Sequence, residues 1–176
     1  VSLRPGELAA VGPSEISGGG FDWACPTPAS DRAQVEYIRS AYEAVAAGEA
    51  SGMVTAPVNK ASIRRVGVDF PGHTELLAEL TGSSRPVMML AGPTLKVVPL
   101  TTHVALREVP ELLTPDLVRT GIRVTHEAFG RHFGRRRPRI AVAGLNPHAS
   151  DGGLFGDEEA RVIKPAIDAA TAEGID

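Results

Sequence analysis

Apolar residues recur along this chain in two rhythms, and the alternation between them sets out its elements. From Asp31, Ala33, Tyr37, Ile38, Ala41, Tyr42 and Val45 fall at helical spacing, with Arg32, Glu36, Arg39 and Glu43 between them. That spacing predicts a helix with one buried face, capped by Ser30 or Asp31 and closed by Gly48, with Tyr37 and Tyr42 as packing residues. Residues 52–58 (GMVTAPV) form a short apolar run that reads as a buried strand, leading into a short helix over 60–66. Leu76, Leu77 and Leu80 mark a second helical run behind His73 and Thr74.

Residues 87–91 and 95–100 read as two strands about a Gly92-Pro93 turn, and residues 114–133 as an amphipathic helix. Thr114 is its expected N-cap, Pro115 its first residue, and Leu117, Val118, Ile122 and Phe129 its apolar face, leaving His126 and His132 on the helix surface. Ile140, Val142 and Leu145 predict one more strand. A last helix begins near Asp157, with Glu158 and Glu159 favourable at its positive end, and runs to about Glu173 with Pro165 tolerated inside it or kinking it. Residues 1–30, with Pro5, Pro13, Pro26, Pro28 and the run Gly18-Gly19-Gly20, read as loop or edge material with a short strand before Gly12. Strands alternating with helices predict an α/β fold built on a largely parallel sheet.

Composition narrows the class. The 176 residues are 43% hydrophobic and 22% charged, as in a globular protein, and could form one sizeable domain or part of a larger one. A net charge of −3 gives no pull toward nucleic acid or an anionic membrane. Arg135, Arg136, Arg137 and Arg139 lie without interleaved aromatics just past a helix end and read as a solvated turn. The single cysteine, Cys25, rules out an intrachain disulfide and fits a cytoplasmic setting. No apolar stretch is long enough to span a bilayer, and no signal peptide is visible at the start. The chain opens on Val1 and stops at Asp176, just past a helical pattern, which fits an internal fragment.

Three of the five histidines stand where strands give way to loops: His73 in PGHTE, His103 in TTHVAL and His148 in NPHASDGG. Ligands bind at the carboxyl ends of strands in α/β proteins, and neutral imidazole is the commonest side-chain ligand of zinc and related metals. These positions predict an open metal site assembled from several loops, with Asp151 as a further ligand or a partner orienting an imidazole. The start of the helix behind His73 suits an anion, Thr74 serving there or merely as a cap. Lys60 could hold a phosphate or carboxylate, although a solvated lysine is the commoner case. The triple glycine lacks the strand and helix that would make it a dinucleotide fingerprint.

TAPVNK, PGHTELLAE, VMMLAG, LTTHVALREVP and GLNPHASDGG, in this order, resemble 4-hydroxythreonine-4-phosphate dehydrogenases of pyridoxal phosphate biosynthesis. The resemblance runs from about Ala50 to Glu173 and is looser before Gly48. It implies a three-layer α/β/α fold like that of isocitrate and isopropylmalate dehydrogenases. It also implies truncation at both ends, with residues 1–65 belonging to a first α/β domain and 66–176 to a substrate- and metal-binding one. By the same resemblance His73 and Thr74 contact a small phosphorylated substrate, and His103 and His148 bind a divalent metal (zinc, magnesium or cobalt). The third ligand comes from a partner subunit, placing the active site at a homodimer interface. Ser150-Asp151 stands where the family often has Gly-Glu, which leaves Asp151 without an assigned role.

The implied reaction is NAD- or NADP-linked oxidation of a secondary hydroxyl of 4-phosphohydroxy-threonine, followed by decarboxylation, in the cytoplasm. No general base and no cofactor-contacting residue is assigned. Related dehydrogenases of a phosphorylated sugar acid or an aromatic cis-dihydrodiol share the metal histidines and are equally allowed by these motifs. Two readings of other classes stand beside them. One is a hydrolase using His103, His148 and Asp151 as a two-histidine, one-carboxylate metal site. The other is a non-catalytic binding or assembly fragment.

Overall fold

The computed structural model describes residues 12, 25–68 and 72–176 of the chain. The expected early strand and the triple-glycine turn lie outside the described residues, as do Phe70 and Pro71 before His73. The chain divides into two compact units, Val1–Ser84 and Arg85–Asp176.

In the first unit, α1 spans Pro28–Ala46. It starts ahead of the expected caps because Pro28, read in sequence as loop, sits at its first turn, where the missing N–H costs nothing. Thr27 is the cap: its hydroxyl accepts from the Ser30 N–H at 3.2 Å, and the Ser30 hydroxyl accepts from the Thr27 N–H at 2.9 Å. That frees Asp31 for a different task. Its buried carboxylate takes two hydrogen bonds from Arg65, at 2.8 and 3.1 Å, and Arg65 also donates to the Ser62 hydroxyl. The Arg65 hydrogen bonds hold the Asp31 carboxyl below its ordinary range against the opposing effect of burial, with Ser62 adding to them.

Arg65 ends α2, Lys60–Arg65, whose N-cap Asn59 accepts from the Ser62 N–H at 3.0 Å. The Asn59 N–H in turn donates to Gln34 of α1 at 2.8 Å. The TAPVNK motif is thus pinned to α1 at its end, while residues 52–58 form no strand and Val54 is fully exposed, against the buried strand expected there. Helix α3, His73–Thr81, closes on Gly82 in the left-handed region, and the Tyr42 hydroxyl donates to the Leu80 carbonyl at 2.7 Å, joining α1 to α3. Tyr42 therefore packs as expected, whereas Tyr37 is about half exposed.

The second unit opens with a hairpin. β1 (Leu90–Ala91) and β2 (Lys96–Val97) pair antiparallel, Leu90 opposite Val97, about the expected Gly92-Pro93 turn. Among the described residues this is the one ladder. Residues 138–145 are nevertheless strand-like in burial: Ile140, Val142 and Leu145 face the core while Ala141 and Ala143 are exposed. A 3-10 turn (Leu106–Glu108) and α4 (Val109–Leu112) then lead to α5, Pro115–His132.

Helix α5 matches the sequence expectation at both ends. Thr114 accepts from the Leu117 N–H at 3.1 Å, and Gly134 turns left-handed so that Arg135 bonds back to the Phe129 carbonyl. The arginines beyond it are exposed, as a solvated turn should be.

The final helix departs from expectation. Residues Glu159–Ile163 form a π-helical turn, closed by the Lys164 N–H on the Glu159 carbonyl, before α6, Lys164–Ala172. Pro165 cannot donate to the preceding turn and its ring would crowd an α-helical carbonyl there, so the wider turn takes up the conflict. Val118, Ile122, Val162, Ile163, Ala166 and Ala170 interdigitate between α5 and this helix to form the core, with Leu113. Among the described residues no helix is long and apolar enough to cross a membrane.

Candidate functional site

His103 and His148 belong to the second unit, and the segments leading to both are rooted in the same core. Leu100, three residues before His103, packs against the α5–α6 core; so do Ile140, Val142 and Leu145 ahead of His148. The close seat of Leu100 depends on Gly121 of α5, where any Cβ would collide with the Leu100 side chain. Both imidazoles are exposed, and among the described residues neither ring nitrogen is engaged in a hydrogen bond. Each keeps a lone pair for a cation, and two neutral imidazoles are a donor set suited to a divalent metal.

Both loops carry backbone in the left-handed region. His103 has φ 59°, and Ala149, Ser150 and Asp151 have φ 46°, 66° and 43°, followed by Gly152 and Gly153 at 69° and 99°. An L-residue pays about 1–2 kcal/mol for that conformation, so three in succession store several times the effect of an ordinary surface contact. Replacing Ser150 with glycine keeps the carbonyl that accepts from Gly153 and Phe155. Strain relief of about 1–2 kcal/mol, less about 0.4–1 for the freer unfolded chain, predicts a net gain near 0.5–1 kcal/mol. Urea unfolding of Ser150→Gly checks it; a loss of stability would mean that the hydroxyl, not the backbone, governs this position.

The His148 loop is clasped by residues that sequence reading passed over. Asn146 accepts from the His148 N–H at 2.9 Å and donates to the Phe155 carbonyl at 3.1 Å. The Phe155 ring lies 4.7 Å from the His148 ring at 32°. Glu159, at the start of the π-helical turn, accepts from the Leu145 N–H at 2.8 Å. Asp151 is exposed, and among the described residues no group of three histidine, cysteine, aspartate or glutamate side chains is placed to hold a metal ion. His103, His148 and Asp151 therefore do not make a preformed triad, and the hydrolase reading has no geometric support.

His73 and Thr74 lie in the first unit, as the opening residues of α3 rather than ahead of it. Gly72 caps this helix without a side chain, so Thr74 is not its cap; it sits exposed in the first turn. His73 Nε2 is buried with no hydrogen-bond partner. A buried ring nitrogen without a partner at a helix start, where free N–H groups gather, is suited to a phosphate or hydroxyl oxygen. Glu75 folds back beside Gly72 and offsets part of that positive potential. Lys60 and Thr55 are both exposed. His126, expected on the surface of α5, is half buried with Nδ1 unpartnered; His132 is exposed in the last turn.

Comparison with known proteins decides the family. The sequence profile described as pyridoxal phosphate biosynthetic protein PdxA matches residues 6–176. The chain belongs to this family. The match extends through residues 6–49, where the motif resemblance was loose. The 4-hydroxythreonine-4-phosphate dehydrogenase of Geobacter metallireducens is 50% identical over 163 residues, which cover 93% of this chain and 48% of that protein. The crystal structure of 4-hydroxythreonine-4-phosphate dehydrogenase from Klebsiella pneumoniae superposes with TM-score 0.80 at 40% identity, over 89% of this chain and 48% of that one. A terephthalate 1,2-cis-dihydrodiol dehydrogenase from Burkholderia xenovorans LB400 shares the fold at 24% identity and TM-score 0.64, over 99% of this chain and 56% of that one. The family fold is α/β, and the chain spans about half the length of the curated relatives it matches.

Proposed function

We propose that this chain carries substrate- and metal-contacting residues of a 4-hydroxythreonine-4-phosphate dehydrogenase acting in pyridoxal phosphate biosynthesis. The reaction is oxidation of the secondary hydroxyl of 4-phosphohydroxy-threonine with NAD or NADP as hydride acceptor, followed by loss of carbon dioxide from the β-keto acid. The observation that carries this reading is family membership over residues 6–176, joined to two exposed, unengaged histidines on loops rooted in one core.

His103 and His148 hold a divalent cation (zinc, magnesium or cobalt), with a third ligand from the partner subunit of a homodimer. When bound, that cation supplies a Lewis acid that lowers the pKa of the substrate hydroxyl and polarises the ketone during decarboxylation. His73 directs Nε2, and Thr74 its hydroxyl, to the phosphorylated substrate at the start of α3. No residue of this chain is assigned to the nicotinamide cofactor.

The fold proposed for the whole enzyme is the three-layer α/β/α arrangement with a largely parallel sheet, as in isocitrate and isopropylmalate dehydrogenases. Support comes from the superposition on the α/β fold of the Klebsiella pneumoniae relative. A functional division at residue 66 is proposed for the whole enzyme, beside the compact-unit boundary after Ser84, and the enzyme is proposed to be cytoplasmic.

The test is reduction of NAD and of NADP by the full protein, with each candidate metal, on 4-phosphohydroxy-threonine. A phosphorylated sugar acid and an aromatic cis-dihydrodiol serve as competing substrates. Reduction dependent on 4-phosphohydroxy-threonine and metal is expected. Faster turnover of either competitor overturns the substrate assignment, and cofactor-independent hydrolysis overturns the reaction class.

A further inference from the structure

Glu159 is half buried and belongs to no ion pair among the described residues. Its Oε1 accepts from the Leu145 N–H, the last backbone donor before Asn146-Pro147-His148. Around Gly144, just upstream, the packing leaves no room for a side chain. A Cβ there would lie 3.1 Å from the Ala149 Cβ, 3.2 Å from the Ala149 Cα and 3.2 Å from Glu159 Oε1. The strand-like segment, the residue after His148 and the Glu159 carboxylate thus meet at one point.

Two features mark this contact as more than ordinary packing. Glu159 Oε2 is buried without a hydrogen-bond partner, and such groups are retained in folded proteins at a cost that calls for a reason. Glu159 also opens the π-helical turn. One residue added to a helix rotates what precedes it by roughly 100°, so the turn forced near Pro165 sets the direction in which Glu159 faces.

We propose that Glu159 is the positioning residue of the His148 loop. By fixing the Leu145 N–H beside Gly144 and Ala149, it holds residues 146–155 in their left-handed turn and sets the His148 ring against Phe155. The inference rests on the reading of His148 as a metal ligand only where it concerns metal affinity; the effect on loop geometry stands without metal.

The experiment compares the full protein with Glu159→Gln, Glu159→Asp and Glu159→Ala. Glutamine keeps an acceptor at full reach, aspartate keeps the charge but loses the reach, and alanine loses both. Thermal melting of the α5–α6 core first establishes that each variant is folded. In metal-free protein, the ring-current shift of the His148 imidazole protons by Phe155 reports the loop. It is expected to persist in Glu159→Gln and to vanish in Glu159→Asp and Glu159→Ala. Zinc titration by calorimetry is expected to show affinity about tenfold or more weaker in the latter two, the range for residues that orient a metal ligand, with glutamine near wild type.

An unchanged ring shift in folded Glu159→Ala overturns the positioning role and leaves the metal reading intact. Glutamine behaving as alanine overturns the acceptor argument. The expected ring shifts without zinc binding in any variant, wild type included, would support the positioning role and count against the metal reading instead.

Discussion

Alanine at His103 or at His148 is expected to abolish divalent-metal binding and, with it, the proposed dehydrogenase activity. Residues that merely orient a ligand shift metal affinity by roughly 10–100-fold, and removal of a donor should exceed that. The fold should hardly respond, because both side chains are exposed. For His148 the loss of the ring contact with Phe155 is worth about 0.5–1.5 kcal/mol at most. Calorimetric zinc titration beside thermal melting therefore separates the two effects. His126→Ala is the control: this histidine is half buried on α5 and outside the proposed site, and its variant should bind metal as wild type does. Equal loss in all three variants would sink the assignment.

Valine at Gly121 should be the most damaging change to the architecture beneath the site. The Cβ of any residue there collides with the Leu100 side chain, and Leu100 is itself packed on the α5–α6 core. Overpacking of this kind costs about 1–3 kcal/mol, whereas the helix-propensity gain of valine over glycine is at most about 0.5 kcal/mol. A net loss near 1–2 kcal/mol is expected in urea unfolding. Because Leu100 anchors the segment ending at His103, metal affinity should fall as well. Alanine sharpens the test. If Gly121→Ala stabilises by about 1 kcal/mol, the usual helix-interior value, Leu100 swings aside freely and the close approach has no structural weight.

The helices were legible where periodicity and a cap agreed. For α5 the apolar face, Thr114 and Pro115 all pointed to one start, and the structure begins there. For α1 the periodicity marks the helix but the prolines of residues 1–30 read as loop, although Thr27, Pro28 and Ser30 together spell a helix start. Asp31 looked like a cap because its partner, Arg65, is distant in sequence and α2 had to be in place to reveal it.

His103 and His148 stand in loops, as residue type and position predict, whereas His73 opens α3. The supports of the His148 loop are not legible in this way. Asn146, Phe155 and Glu159 act through contacts that close only in three dimensions, and the left-handed turn was half visible, in Gly152-Gly153 but not in Ala149 or Ser150. Pro165 was the available signal for the π-helical turn. It predicts a disturbance in the turn before it, and the π-helical turn Glu159–Ile163 falls there.

The Ile140 N–H donates to the Asp176 carbonyl at 2.9 Å, with Ile175 packed on the core. The stretch bearing His148 and α6 is therefore a closed loop fastened at its far end. Closing such a loop costs chain entropy that is recovered only once its contacts form. The helix pair must dock before the fastening can hold, so the proposed metal site is expected to form late in refolding, after helical structure and core burial.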